Sequence, residues 1–191
     1  IKPVSRNRCD FGQGFYMGTD RTQPLTLICN YENAKLYTLN VHLSGLKILD
    51  IGIGLDWALL VAYNRGKMDF IKESTIYNRY KTIADGYDMI VGYIANDRMF
   101  TVLDRFFRGD ITDISLINSL SALKLGKQYV AISDKACSQI KIIQETILTF
   151  EQRENLKTES EKNRKLGIAL ADEICKKYRR EGLYFDEILG R

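Results

Sequence analysis

Three short segments carry the residues whose types and spacing could do chemistry. Phe11-Gly12-Gln13-Gly14-Phe15-Tyr16-Met17 sets paired glycines, which let a backbone approach a ligand closely, directly before an aromatic run that starts a strand. An aromatic ring there, Tyr16 above all, can stack on a flat heterocycle such as nicotinamide. Gly126-Lys127-Gln128-Tyr129-Val130-Ala131-Ile132-Ser133 puts the Gln128 amide near the start of a β-rich run. Asn96-Asp97 stands where an apolar run meets a helical pattern, so the pair could cap that helix or reach a polar ligand at its mouth. Arg8, beside the glycine turn, and Arg65 could hold a phosphate, although an arginine in a basic patch is more often simply solvated.

These residues need elements to position them. Asp20 can cap a short segment after the aromatic run, and Lys35 to Leu43 places Leu39, Val41 and Leu43 at period two, as a half-buried strand requires. Leu46 to Ile51 reads as a further short strand. After Gly52 and Gly54, Leu55 to Tyr63 carries Leu55, Ala58, Leu59 and Ala62 at helical spacing and ends near Asn64-Arg65-Gly66. Residues 67 to 85 are polar and fit no single pattern, and Tyr87 to Ile94 reads as a central strand. A helix over about Arg98 to Phe107 and a second one, capped by Asp110 or Thr112 and running through Leu123, precede strands over Gln128 to Ser133 and Ser138 to Ile143. From about Glu145 to Arg180, Leu166, Ala169, Leu170, Ile174 and Cys175 form a narrow apolar stripe on a long amphipathic helix, with a possible break near Ser160 and an end at Gly182. Strands and helices that alternate irregularly, without repeating βαβ units, predict an α+β chain.

The glycine segment resembles the F-G-x-G-I-Y segment of the poly-ADP-ribose-polymerase-like branch of the ADP-ribosyltransferases, in which Tyr16 falls on the tyrosine of a His-Tyr-Glu triad. Gln128 falls on the glutamate of the same branch's N-E-Y-I-V-Y strand. Glutamine keeps that residue's hydrogen bonding to a ribose hydroxyl and lacks its charge toward the oxocarbenium-like state formed as nicotinamide leaves. Glu145 and Glu151 lie beyond the next strand and are poor replacements. No His-Gly pair matches the triad's histidine, and His42 stands in the wrong order, so such a pair is expected before Ile1 if it exists. The ordered set of D-F-G-x-G-F-Y, Leu49-Asp50 followed by Asp56-Trp57, Asn64-Arg65, Tyr87 to Asp97, and Gln128-Tyr129-Val130 resembles an uncharacterised bacterial domain family grouped with ADP-ribosyltransferase-like toxins, over roughly residues 5 to 143.

Composition narrows the other classes. The 191 residues, 45% hydrophobic, suffice for one domain with a real core, and two prolines leave no Pro-rich linker. No window approaches the roughly 18 to 20 apolar residues of a membrane helix, and the first residues lack a signal peptide's apolar stretch, so no membrane partner and a cytoplasmic location are expected. Cys9, Cys29, Cys137 and Cys175 are scattered and the chain has one histidine, which argues against zinc and for reduced thiols. A net charge of +4, from 28 basic and 24 acidic residues, permits nucleic-acid binding without indicating it. Gly12-Gln13-Gly14 lacks a dinucleotide fingerprint's third glycine, and Asp110 to Asp113 is too thin for a metal-dependent hydrolase.

The resemblance implies an ADP-ribosyltransferase-like split β-sheet core over 1–143, with short flanking helices, and a helical extension over 144–191. It implies an NAD-dependent mono-ADP-ribosyltransferase, a toxin of a toxin-antitoxin or defence locus, with Tyr16 and Gln128 as catalytic residues. Gly12, Gly14, Phe15, Tyr16, Arg8, Asn96 and Asp97 would hold NAD, and the acceptor would be protein or nucleic acid, with an antitoxin protein as partner. The alternative is a catalytically inactive module of the same fold that acts through a protein partner, its long helix packing on its own domain or entering a groove elsewhere.

Overall fold

The chain enters β1 (Phe15–Gly18) and passes through α1 (Thr22–Ile28) to β2 (Lys35–Val41) and the short β3 (Ile48–Asp50). There follow α2 (Leu55–Asn64), α3 (Thr75–Thr82), β4 (Met89–Tyr93), α4 (Asp97–Phe107) and α5 (Asp113–Ala122). β5 (Lys127–Ala131), α6 (Asp134–Ser138), β6 (Ile140–Ile147), the long α7 (Phe150–Lys177) and α8 (Phe185–Leu189) complete it. The computed structural model describes residues 1–93, 97–122 and 126–190, the side chains of 97–100, 163 and 164 excepted.

Two sheets form, one four-stranded in the order β1-β5-β4-β3 and one of β2 with β6. In the larger sheet β5 runs antiparallel to both its neighbours, whereas β3 and β4 are parallel. Because strand side chains alternate, each face of this sheet collects its own apolar set. Tyr16, Leu49, Ile90 and Val130 join the main core around α2, and Phe15, Met17, Met89, Val91 and Ala131 join a second cluster with Ala136, Cys137 and Ile140. Helix and strand content mixed in this way makes the chain α+β.

Helix α2 is the centre of the main core: Trp57 through Ala62 are all buried, which a helix apolar on every side requires. Its C-terminus closes as the glycine there dictates. Gly66 adopts φ +73°, its N–H bonds Tyr63 O, and Lys67 N–H reaches back to Ala62 O, the paired bonds of a Schellman stop.

The C-terminal segment belongs to the same core. Ala171 and Cys175 of α7 and Phe185 and Ile188 of α8 are buried in the cluster that contains Trp57 and Phe106. The Phe185 ring lies 5.2 Å from that of Phe106 and 5.4 Å from that of Phe107. The boundary drawn at residue 143 falls inside β6.

Several elements differ from the sequence expectation. The long helix begins at Phe150 rather than near Glu145, because residues 140–147 pair with β2, Lys35 meeting Glu145 at 2.7 Å. Thr149 and Gln152 then form a capping box, and α7 continues without a break at Ser160. The strand expected from Ser138 starts at Ile140, after α6, which Ser133 caps by accepting the Ala136 N–H at 3.1 Å. Within residues 67–85, a short 3-10 turn over Asp69–Ile71 precedes α3, whose cap Ser74 accepts the Tyr77 N–H. Of the two candidate caps of α5, Thr112 takes the role, accepting from Ser115 N–H at 3.3 Å. Among the described residues, no helix is long and apolar enough to cross a membrane.

Candidate functional site

The glycine turn is clamped by the residues whose motif spacing singled it out. The Arg65 guanidinium grips the Asp10 carboxylate, Nε at 2.7 Å, with both side chains about nine-tenths buried. Burial pushes the Asp10 carboxyl above its ordinary range, while Arg65 pulls it back. Asn64 Nδ2 donates to Asp10 O at 3.0 Å and to Leu60 O at 3.1 Å, tying the turn to α2. Phe11 inserts its ring against Gly92: a Cβ there would stand 2.5 Å from Phe11 Cζ.

The Tyr16 hydroxyl completes the clamp, accepting the Phe11 N–H at 3.0 Å and donating to Gly12 O at 2.7 Å. Its pKa is raised, chiefly by burial. The turn is thus stapled by a phenol whose hydroxyl both accepts and donates and whose ring packs against the main core.

The antiparallel register brings Tyr16 and Gln128 together. Tyr16 lies opposite Val130 and Gly18 opposite Gln128, so the two candidate catalytic side chains are diagonal neighbours on one face. On its other side Gln128 lies opposite Gly92. Glycines therefore flank Gln128 on both adjoining strands. Its Oε1 is buried and has no hydrogen-bond partner among the described residues, an exception that calls for a physical explanation in a folded protein.

Tyr16 and Gln128 line a cleft of about 1070 Å³. The N-terminal segment contributes Arg6, Arg8, Cys9 and Asp10; Arg65 and Lys67 enter from the end of α2, and Asp104 and Arg108 from α4. The wall on the α1 side carries Leu27 and Tyr31. Five basic side chains against two carboxylates make the cleft cationic, and a concave wall focuses such a field. Lys67 and Arg108 both bridge Asp104, at 3.3 and 3.0 Å. Arg8 and Arg6 are exposed, with no ion pair to a carboxylate among the described residues.

The other sequence candidates fall differently. Gly12 and Gly14 approach protein: a Cβ on Gly12, at φ +78°, would meet Asn64 Oδ1 at 3.0 Å, and one on Gly14 would meet Val130 Cγ1 at 2.5 Å. Phe15 turns to the opposite sheet face from Tyr16, as strand alternation demands, and packs in the second cluster. Arg8 stays at the cleft, at φ 60°. Asp97 begins α4, and Asn96 and the Asp97 side chain lie outside the described residues. His42 is exposed beyond β2.

The remaining motif residues serve the frame. Asp88 accepts from Lys47 N–H at 2.9 Å, Ser133 Oγ at 2.8 Å and Lys135 Nζ at 3.1 Å, bonds that lower its pKa to about 2. Trp57 Nε1 donates to Tyr93 O, and Asp56 accepts the Tyr80 hydroxyl at 2.6 Å. Sequence reasoning missed Lys67, Asp104, Arg108, Leu27 and Tyr31 as members of the cleft. Arg8 and Arg65 were the legible signals of its charge, and both line the cleft.

No curated protein and no solved structure matches the chain. A family model, described as a protein of unknown function (DUF3990), matches residues 3–142, well over half of the chain and close to the span of the ordered motifs, and the chain belongs to that family.

Proposed function

We propose that this chain is an NAD-dependent mono-ADP-ribosyltransferase-like protein, the toxin of a toxin-antitoxin or defence locus, acting in the cleft over Tyr16 and Gln128. The observation that carries the reading is the buried, unpartnered Oε1 of Gln128 beside Tyr16 in a cleft lined by five basic side chains. No partner among the described residues holds that oxygen in place, so the Gln128 amide would turn into the cleft to accept from a ribose hydroxyl, and the two phosphates of NAD suit the guanidinium groups. In the reaction the ribose–nicotinamide C–N bond breaks with its electron pair leaving on nicotinamide. An acceptor nucleophile then bonds the ribose carbon and gives up its proton. The separation of the strands into two sheets accords with the split-sheet core that the motif resemblance implies.

A second reading has its own support: the module binds NAD without turning it over. Gln128 brings no charge to a developing cation, and the Tyr16 hydroxyl is spent on Phe11 and Gly12. Measuring NAD binding and nicotinamide release by the full-length gene product, beside Gln128→Ala and Tyr16→Ala, separates the two. Release abolished by both substitutions supports the transferase. Binding without release supports the silent module, and the absence of both sinks the NAD reading. Growth arrest on expression, relieved by Gln128→Ala, is the corresponding outcome for a toxin.

A further inference from the structure

The wall of the cleft on the α1 side is built unlike its floor. Helix α1 buries none of its seven residues, and the chain after it is anchored instead through Cys29, which is 1% exposed. Asp20 Oδ1 accepts the Thr22 N–H at one end, and Tyr31 N–H bonds Ile28 O just past the other. Between these anchors two large side chains are left out of the core: Leu27 is 59% exposed and Tyr31 68% exposed, and both line the cleft. The Tyr31 ring has no ring or hydrogen-bond partner among the described residues.

A flat aromatic face that shares a cleft with guanidinium groups matches a ligand that is flat and apolar at one end and anionic at the other. A nucleotide has both properties: any base offers a π-face to a tyrosine, and its phosphates accept from arginine. An uncharged lipid or an apolar peptide would leave Arg6 and Arg8 without an anion, and an acyl chain lacks the flat face that Tyr31 offers.

We propose that Tyr31, supported by Leu27, is the base platform of a nucleoside diphosphate subsite whose phosphates are held by Arg6 and Arg8. This assigns the adenosine diphosphate half of the substrate to the α1 side of the cleft, and to that extent it rests on the NAD reading. The subsite itself is tested with ADP.

ADP binding to the full chain is measured calorimetrically beside Tyr31→Ala, Tyr31→Trp and the pair Arg6→Ala with Arg8→Ala. Inorganic pyrophosphate is the second probe. Tyr31→Ala should weaken ADP by about ten- to hundredfold, the range found for a stacking aromatic, and leave pyrophosphate unchanged. Tyr31→Trp should retain ADP, with its new indole fluorescence quenched on binding. The arginine pair should weaken both probes. ADP affinity indifferent to Tyr31→Ala, or no ADP binding at all, overturns the proposal. If nicotinamide is released while Tyr31→Ala leaves ADP affinity intact, the subsite fails and the transferase reading stands. Tyr31-dependent ADP binding without any nicotinamide release has the reverse meaning.

Discussion

Replacing Arg65 by methionine keeps the side chain's length and apolar stem while removing the cation that faces Asp10. Both partners are 11% exposed, so the pair is little screened, and Asp10 would be left as a buried carboxylate with only the weaker field of Arg6 to offset it. Breaking such a pair from one side costs about 3–5 kcal/mol, whereas replacing both charges at once costs far less. Arg65→Met should therefore lose stability in that range at pH 7, and Asp10→Asn added to it should restore a large part. The sign of the pH effect follows from burial. Asp10 already titrates above its ordinary value, and without Arg65 it rises further. A carboxyl whose folded pKa lies above its unfolded one binds its proton more tightly when folded, so its unfavourable contribution grows as pH climbs through that window and fades as pH falls below it. The deficit of Arg65→Met should thus shrink between pH 7 and pH 5, while the doubly substituted chain shows no such recovery. Urea unfolding at both pH values, with m-values compared, measures this. A deficit below about 1 kcal/mol that does not change with pH would refute the view that a buried charge pair holds the glycine turn.

Other expectations follow from the same geometry. Gly92→Ala would drive a methyl into the Phe11 ring and should cost about 1–3 kcal/mol in urea unfolding, with Phe11→Leu in the same chain recovering part of it; a neutral Gly92→Ala contradicts the close contact. Asp88, held near 2, contributes stability above the ordinary carboxyl range that is lost as pH falls toward 2, so Asp88→Asn should flatten the acid limb of the stability profile between about pH 4 and 2. An acid limb unchanged in that variant would show that other carboxylates govern it. Gln128→Glu restores a charge where the resemblance implies one, between Gly18 and Gly92, and should raise nicotinamide release about tenfold or more; no gain means that the missing carboxylate does not limit the reaction.

Much of the frame was legible in the residues themselves, because the forces that make it are local. Period-two and helical spacings located β2 and α2, and Gly66, which can take φ +73°, marked the stop of α2. Short elements were harder. Helix α6 hid beside β6, and α8 depends on Phe185 finding Phe106 and Phe107, a contact no local pattern records. The segment around Glu145 fits helix or strand by propensity, and pairing with β2 across the fold decided for strand.

The sequence by itself determined which residue types were available for a site: a glycine turn, an aromatic beside it, an amide on a later strand and a basic N-terminal segment. Tertiary structure decided what each of them does. Strand register alone places Tyr16 and Gln128 on one face and turns Phe15 to the other, since side chains alternate and a single-residue shift would exchange them. Long-range contact turned Asp10, Asn64, Arg65 and Asp88 into supports, because a buried polar group must find its partner wherever the fold brings one. The same condition leaves Gln128 Oε1 conspicuous, and Lys67, Asp104, Arg108 and Tyr31, distant in the chain, reach the cleft only once α1, α2 and α4 close around it.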